Sequence, residues 1–511
     1  KITTRKIVGA SLDHLLSQNY IGRTGDTYNF LTDEEQDIQR DIYKNTQVDT
    51  SAIVERIGQM IFADIYTTKK YRHGKYDFPF DQMVDTTSIG AVTGGMRLRI
   101  MTVATDTVEK SELRLMTESK NQAIVVLSET PYYESLEKAM KVRKYVKQRN
   151  VAQLPKSVQD IIRNHQDEAN KYEASAEEDL KKAHDFAVAE ALKTTEKQTH
   201  QAMEALIHNL NTMNSRAGAQ VPFSSVNYGT DTSEEARMVI RNLLTATEDG
   251  LGGGETPIFP VQIFKVKEGV NFNPGDPNYD LFQLALKTSA QRLFPNFSFI
   301  DAPFNLQYYR PGDYNTEVAY MGCRTRVMGN VYDPTKEVTC GRGNLSFTSI
   351  NLPRLGIEAH GDIDKFFKSL DDMIDLVIRQ LMHRFKIQCS KVVRNYPFLM
   401  GQGIWIDSEH LDMDDSVAEV LKHGTLSVGF IGLAETLKAL TGKHHGESEA
   451  SQKLGLEIIG HMRNRMDEES RKTGLNFTLL ATPAEGLSGR FVRIDQKKYG
   501  KIPGVTDREY Y

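Results

Sequence analysis

Cysteine is almost missing from this chain: Cys323, Cys340 and Cys389 are the three in 511 residues. An odd count with no C-x-x-C pair argues against a disulfide framework and against a thiolate zinc site in this stretch, and it fits a reducing cytoplasm. No apolar run approaches the ~18 residues that a membrane-spanning helix needs, so no membrane partner is expected. The opening KITTRKIVGASLDHLL has neither the apolar h-region nor the small-residue cleavage site of a signal peptide. It also starts without methionine, as a fragment would. Charge of one sign is lacking too: 63 Lys and Arg against 68 Asp and Glu leave a net −5. That balance excludes bulk coating of DNA, and no direct nucleic-acid binding is expected. No G-x-x-x-x-G-K-[ST] occurs anywhere, so the backbone cradle and lysine of a P-loop are absent. The run Gly252-Gly253-Gly254-Glu255-Thr256 lacks the G-x-G-x-x-G spacing of a dinucleotide site and is discarded.

Glycine is missing from Arg97 to Ala217 and frequent afterwards, and the only tryptophan, Trp405, lies on the later side. With 39% hydrophobic and 26% charged residues, what is present is ordinary for soluble domains with ample core, two or more at this length. Residues 1 to about 95 read as mixed structure. Helices are predicted over Asp33–Lys44 and Thr50–Tyr66, the second with Asp49 as a cap, and strands over Met96–Ala104 and Ala123–Leu127. From Ser135 the pattern is helical and charged, and Pro155 opens a long helix reaching toward Asn211. This first half reads as α+β.

Further on, Asp362 caps a predicted helix with the stripe Phe366, Leu370, Met373, Ile374, Val377, Leu381 and Phe385. Helices are also predicted over Ser427–Leu440, closed by Gly442, and Ser448–Lys472, closed by Gly474. Between them come β-type segments at Val221–Tyr228, Ile258–Val266, Asn344–Leu352, Gly403–Ile406 and Asn476–Leu480. Strands alternating with helices predict an α/β barrel or sheet with active loops at strand ends. The adjacent His444 and His445 point apart and read as a solvated turn, and no metal ligand set is read in this chain.

Several blocks carry a resemblance. Met321-Gly322-Cys323-Arg324 stands shortly before GRGNLSFTSINLPR (Gly341 to Arg354). VPFSSVNYG (Val221 to Gly229), ETPIFPVQIFKVKEGV (Glu255 to Val270), PFLMGQG (Pro397 to Gly403) and ATPAEGLSGRF (Ala481 to Phe491) accompany them. From about His184 to Tyr511 the chain closely resembles the anaerobic, class III, ribonucleoside-triphosphate reductases, which are glycyl-radical enzymes. The resemblance implies a partial ten-stranded α/β barrel of the glycyl-radical and ribonucleotide reductase type. It implies that Cys323 carries a transient thiyl radical that removes the ribose 3′ hydrogen of a ribonucleoside triphosphate. For a cysteine taken alone, a small buried hydrophobe is the plainer reading, and Cys340 and Cys389 keep it.

Asn344 falls where the family places an amide beside the ribose hydroxyls, and an amide both donates and accepts; a turn residue after Gly343 is the alternative. Thr482, Ala484 and Ser488 lie in a glycine-rich turn after a strand, whose backbone N–H groups suit phosphate, and the family match assigns them to the substrate triphosphate. Arg216, Gln220, Ser224 and Ser225 lie in SRAGAQVPFSS, which in the family lines the substrate pocket; Arg216 and Gln220 are equally readable as structural.

The resemblance further implies a homodimer under ATP and deoxynucleotide effectors, formate as reductant with a thioredoxin-type donor left open, and a separate radical-SAM activating enzyme. Family members continue roughly a domain's fraction, about a hundred residues, past the equivalent of Tyr511. That extension holds a four-cysteine zinc site and the glycine that stores the radical. Neither is in this sequence, so the chain as given is expected not to turn over.

Residues 1–183 resemble a different family, the large P-loop ATPase of BREX phage-defence systems. The stretches are YNFLTDEEQDIQRDI (Tyr28 to Ile42), YRHGKYDFPFDQMVD (Tyr71 to Asp85) and the run from Asn121 to Ala183. The expectation is a fusion near residue 183, through a helix that both parents tolerate: 1–183 without a Walker A, then 184–511 as the reductase part. The alternatives are a fragment of a defence ATPase acting within a complex, and a chimera without function.

Overall fold

The computed structural model describes residues 2–18, 20–24, 27–73, 76–213, 221–322, 325–482 and 484–511. The chain forms two compact units, Lys1–Lys197 and Gln198–Tyr511.

In the first unit the helix Asp33–Arg40 starts on a capping box, in which Thr32 Oγ1 accepts from Glu35 N and Glu35 returns a carboxylate to Thr32 N at 2.8 Å. It passes into a wider turn at Asp41–Asn45, and Thr50–Gln59 likewise passes into one at Met60–Ile65. Asp49 stands at the N-cap of the second helix but makes no side-chain cap bond, so its expected role is not taken up. Strands Lys70–His73, Tyr76–Val84, Met96–Met101 and Ala123–Val126 lie side by side in that order, with Thr87–Ile89 also paired to Tyr76–Val84. Antiparallel pairing at one edge and parallel pairing beyond it make this the α+β unit expected. The strands bury Val84 and Ile100 against Ile53, Ile57, Met60, Phe62 and Leu136 from the helices. Asp85 ends the long strand at φ +51°, held by bonds from Thr102 N (2.6 Å), Thr102 Oγ1 (2.7 Å) and Thr105 Oγ1 to its carboxylate. One helix runs from Lys156, directly after Pro155, to Thr212.

The second unit holds two three-stranded parallel sheets. In one, Val261–Val266 lies between Ser225–Tyr228 and Asn296–Phe299. In the other, Thr425–Ile431 lies between Asn344–Asn351 and Asn476–Ala481. Parallel neighbours require crossovers, and helices supply them. Glu234–Asp249 and Tyr279–Arg292 bury Ile240, Leu244, Leu281 and Ala285 on Phe264 and Val266 of the first sheet. Ile363–Cys389, Leu433–Thr441 and Glu449–Thr473 bury Phe366, Leu370, Ile374, Leu381, Leu437, Ile458 and Met462 with Ile350, Leu426, Val428 and Phe477 of the second. The caps follow the sequence: Asp362 accepts from Lys365 N at 3.0 Å, and Gly442 and Gly474 close their helices in the left-handed conformation.

Two expectations are corrected, and one strand is added. Ser427 to Ile431 is strand rather than helix, because LSVGFI is a buried run between two parallel strands, and helix begins only after Gly432. Gly403–Ile406 is a turn: Trp405 is buried with its Nε1 donating to Val420 O at 2.7 Å, and Ile406 N reaches Gly341 O without a ladder forming. The strand Asn296–Phe299, too short to show a period, was not anticipated.

Candidate functional site

Side chains alternate along a strand, so each sheet has two faces. On the second sheet the face carrying Ile350, Leu426, Val428 and Phe477 meets the helices. The opposite face carries a row of polar and small residues, Ser427 abreast of Thr478 and Ser349 abreast of Gly429, with Phe347 and Leu480 at the same register positions. Asn344 would miss this row by simple alternation from Ser346, whose Oγ accepts from Arg384 of a covering helix at 2.6 Å. A bulge between Asn344 and Ser346 sets Asn344 opposite Thr425 instead. Its Nδ2 therefore donates to Ser427 Oγ at 3.0 Å, and Ser427 Oγ lies 2.7 Å from Thr478 Oγ1. One further step along the row, Ser349 Oγ donates to Thr482 Oγ1 at 2.8 Å. That bond passes over Gly429, where any Cβ would collide with Thr482 Oγ1 and sit 2.7 Å from Ser349 Oγ. Asn344 and Thr482 are thus joined to the same face of the sheet. Ser427, Thr478, Ser349 and Gly429 were missed. Only the alternation within FTSIN, SVGF and NFTLL could have marked them.

Thr482 follows the strand Asn476–Ala481, and Ala484 is the N-cap of the helix Glu485–Tyr499, whose first backbone N–H groups have no acceptor within the helix. Ser488 is placed differently from its expected company: it is buried and its Oγ donates to Tyr511 O at 2.8 Å. The same helix is pinned through Asp495, fully buried, which accepts from Asn351 Nδ2 (2.8 Å), Arg354 Nη2 (2.6 Å) and Tyr511 OH (2.8 Å). Burial, with Asp495 beside it, pushes the Tyr511 phenol far up. This explains the run Asn351-Leu352-Pro353-Arg354: Asn351 caps the next helix through Arg354 N, and both polar residues hold the helix that follows Thr482.

Ser224 and Ser225 stand on the other sheet. Ser225 Oγ accepts from Gly322 N at 3.1 Å, and Asn227 exchanges both amide bonds with the backbone of Tyr320 at 2.8 Å. The segment leading to residue 323 is therefore stitched to the edge strand, and Gly322 turns there at φ +64°. Ser224 Oγ is buried with no hydrogen-bond partner among the described residues. Cys323, Arg216 and Gln220 lie outside the described residues. Cys340 is exposed and Cys389 half-buried, as free thiols.

Behind Asn344, Arg342 is buried and donates to four carbonyls: His423 (3.0 Å), Met328 (3.1 Å), Gly329 (2.9 Å) and Val338 (3.0 Å). Burial lowers its pKa to about 10, which still leaves it charged at neutral pH. His423 lies 2.9 Å from Asp407 Oδ2 by its Nε2 and 2.9 Å from Asn330 Nδ2 by its Nδ1. An amide nitrogen only donates, so Nδ1 accepts from Asn330 Nδ2 and the ring proton lies on Nε2, toward Asp407. Burial also depresses the imidazole pKa.

The family model described as anaerobic ribonucleoside-triphosphate reductase matches residues 131–511. The chain belongs to that family. The two three-stranded parallel sheets with their covering helices make the second unit α/β, as strands alternating with helices predict. A second model, for the BREX ATP-binding protein BrxC 4th domain with six-stranded beta sheet, matches residues 46–210, so the two share 131–210. The anaerobic ribonucleoside-triphosphate reductase of Salmonella typhimurium is 35% identical over 321 residues, 62% of this chain and 44% of that protein. That of Escherichia coli is 34% identical over 347 residues, 67% of this chain and 47% of that protein. That of Enterobacteria phage T4 is 32% identical over 343 residues, 65% and 54%. The chain spans about half the length of these relatives. Among solved structures, the anaerobic ribonucleotide reductase from Thermotoga maritima with citrate in the active site is similar at 14% identity and TM-score 0.43, over 78% of this chain and 61% of that one.

Proposed function

We propose that this reductase-family chain carries the substrate-binding half of an anaerobic ribonucleoside-triphosphate reductase, an oxidoreductase making 2′-deoxyribonucleoside triphosphates. The observation that carries the reading is the polar face on which Asn344, Ser427 and Thr478 are hydrogen-bonded in a row, within a family match over residues 131–511. A ribose diol needs donors and acceptors presented together, and this row offers both. Ser224 Oγ, buried without a partner among the described residues, is a group that a bound substrate would satisfy.

In this reading Cys323, as a thiyl, takes the 3′ hydrogen, Asn344 orients the hydroxyls, and the 2′ hydroxyl leaves with a proton as water. Formate gives two electrons and a hydrogen, leaving as carbon dioxide, and the 3′ hydrogen returns from Cys323. The backbone at Thr482 and Ala484 holds the triphosphate, Ser488 supports that loop through Tyr511, and Arg216, Gln220, Ser224 and Ser225 line the pocket. The glycyl radical would supply the unpaired electron to Cys323. It and the zinc site belong to a region not within these 511 residues, and a radical-SAM enzyme would install the radical. We further propose a cytoplasmic homodimer regulated by ATP and deoxynucleotides.

The test uses this chain completed with the C-terminal region of the Escherichia coli relative and activated without oxygen. Cys323→Ala is expected to bind CTP as the parent does and to form no deoxynucleotide. Deoxynucleotide formation by Cys323→Ala would overturn the assignment.

A second reading concerns residues 1–183, taken as a BREX-type segment joined to a reductase part at 184–511. The match over residues 46–210 favours it. Without a Walker A sequence, this segment is expected to show no ATP hydrolysis, and measurable turnover by the chain would refute that.

A further inference from the structure

His200 and Glu204 sit one turn apart on the helix Lys156–Thr212, and four-residue spacing puts both side chains on one face. This stretch packs on the helix Glu234–Asp249 through Ile207, Leu243 and Ala246, with Met203 and Leu206 around them. The packing brings in a third group, Asp249, the last residue of that second helix. His200 Nε2 lies 3.7 Å from Glu204 Oε1 and 3.7 Å from Asp249 Oδ2. One ligand atom from each of the three falls within 4.8 Å of the other two.

The other ring nitrogen shows how the imidazole is set. Nδ1 faces Thr245 Oγ1 at 3.5 Å, and that hydroxyl lies 3.0 Å from Arg241 O and 3.2 Å from Asn242 O. A hydroxyl that gives its proton to a carbonyl has only lone pairs left, so it favours a proton on Nδ1. The Nε2 lone pair then faces the two carboxylates. An acceptor partner on the far ring nitrogen is the arrangement that orients histidine ligands in metal sites. Three ligand atoms converge, and they do so beside the C-terminus of the second helix, whose carbonyl end is itself negative. A simple imidazolium pair would draw one carboxylate to hydrogen-bonding distance, about 2.8 Å. Here both stand off equally. Ligands about 2.0–2.1 Å from a tetrahedral zinc ion are about 3.3 Å from one another, so the present separations need only small turns of two exposed carboxylates.

We propose that His200, Glu204 and Asp249 bind one divalent first-row cation of the zinc type, with water completing the coordination and Thr245 orienting the histidine. One imidazole and two carboxylates favour such an ion over magnesium or calcium, which take oxygen alone. The ion would clip two helices across their packed interface. This site is independent of the substrate reading and needs no catalytic turnover to be observed.

The test is calorimetric titration of the chelator-treated 511-residue chain with zinc, paired with cobalt absorption spectra. One equivalent is expected to bind, without the thiolate-to-cobalt band that Cys340 or Cys389 would give. His200→Ala and Glu204→Gln should each weaken binding about tenfold or more, and Thr245→Val by a smaller factor at unchanged stoichiometry. All three side chains are solvent-accessible and circular dichroism checks that the variants fold, with Asp249→Asn as a further variant. Zinc binding unchanged in His200→Ala and Glu204→Gln, or no uptake by the parent at millimolar zinc, would overturn the site.

Discussion

Asn344 Nδ2 donates to Ser427 Oγ at 3.0 Å, between strands whose two residues are 83 positions apart. The bond exists because a bulge turns Asn344 away from the covering helices. Removing either partner should cost about 1 kcal/mol, the usual net worth of such a bond. Asn344→Ala and Ser427→Ala should be less than additive in urea denaturation. In the proposed role Asn344→Ala should also weaken CTP binding by about tenfold, or about 1.4 kcal/mol, in equilibrium dialysis. Additive effects would show that the two side chains act separately.

Gly429 leaves the space through which Ser349 reaches Thr482. Gly429→Ala puts a methyl into it, and overpacking of this kind costs about 1–3 kcal/mol. A lower unfolding midpoint is expected, together with a shift of the Thr482 amide resonance. If Gly429→Ala is as stable as the parent, the close approach over this strand is not real.

Asp495 is a carboxylate without solvent, satisfied by Asn351, Arg354 and Tyr511. Asp495→Ala leaves Arg354, whose side chain is one-third exposed, and two neutral donors without their acceptor, and a loss of about 1–3 kcal/mol is expected. The helix Glu485–Tyr499 should lose amide-exchange protection before the rest of the unit. Asp495→Asn, which keeps one acceptor, should be milder. Equal losses in both would assign the effect to packing instead.

His423 gives a pH dependence with a definite sign. Its folded pKa is depressed, chiefly by burial, from an ordinary value near 6.5. As pH falls below about 6.5 the unfolded chain takes up a proton that the folded one refuses, so stability declines until the folded pKa is reached. Above that window the contribution is fully present. Chemical denaturation of the parent between pH 8 and about pH 5 should show this fall, and His423→Gln should flatten it. A slope unchanged in His423→Gln would place the pH dependence elsewhere.

Much of the second unit was legible because its signals are local. Asp362, Ser448, Gly442 and Gly474 mark helix ends through bonds within one turn, and the Phe366-to-Phe385 stripe repeats at the helical period. Legibility failed where a partner decided the outcome. The residues from Ser427 to Ile431 look like the start of the helix that follows, and only flanking strands on both sides make them strand.

The sequence by itself determined the family, through blocks around Cys323, Asn344 and Thr482, and the α/β class, through alternation and caps. Which side chains meet was decided by the tertiary structure alone. Ser427 and Thr478 meet because parallel pairing sets them abreast, and Ser488 turns to Tyr511 because the chain returns there. Asp249 joins His200 because two helices pack on Ile207 and Leu243. Periodicity and capping are short-range and can be read along a chain, whereas register, bulges and helix packing depend on residues far away in it.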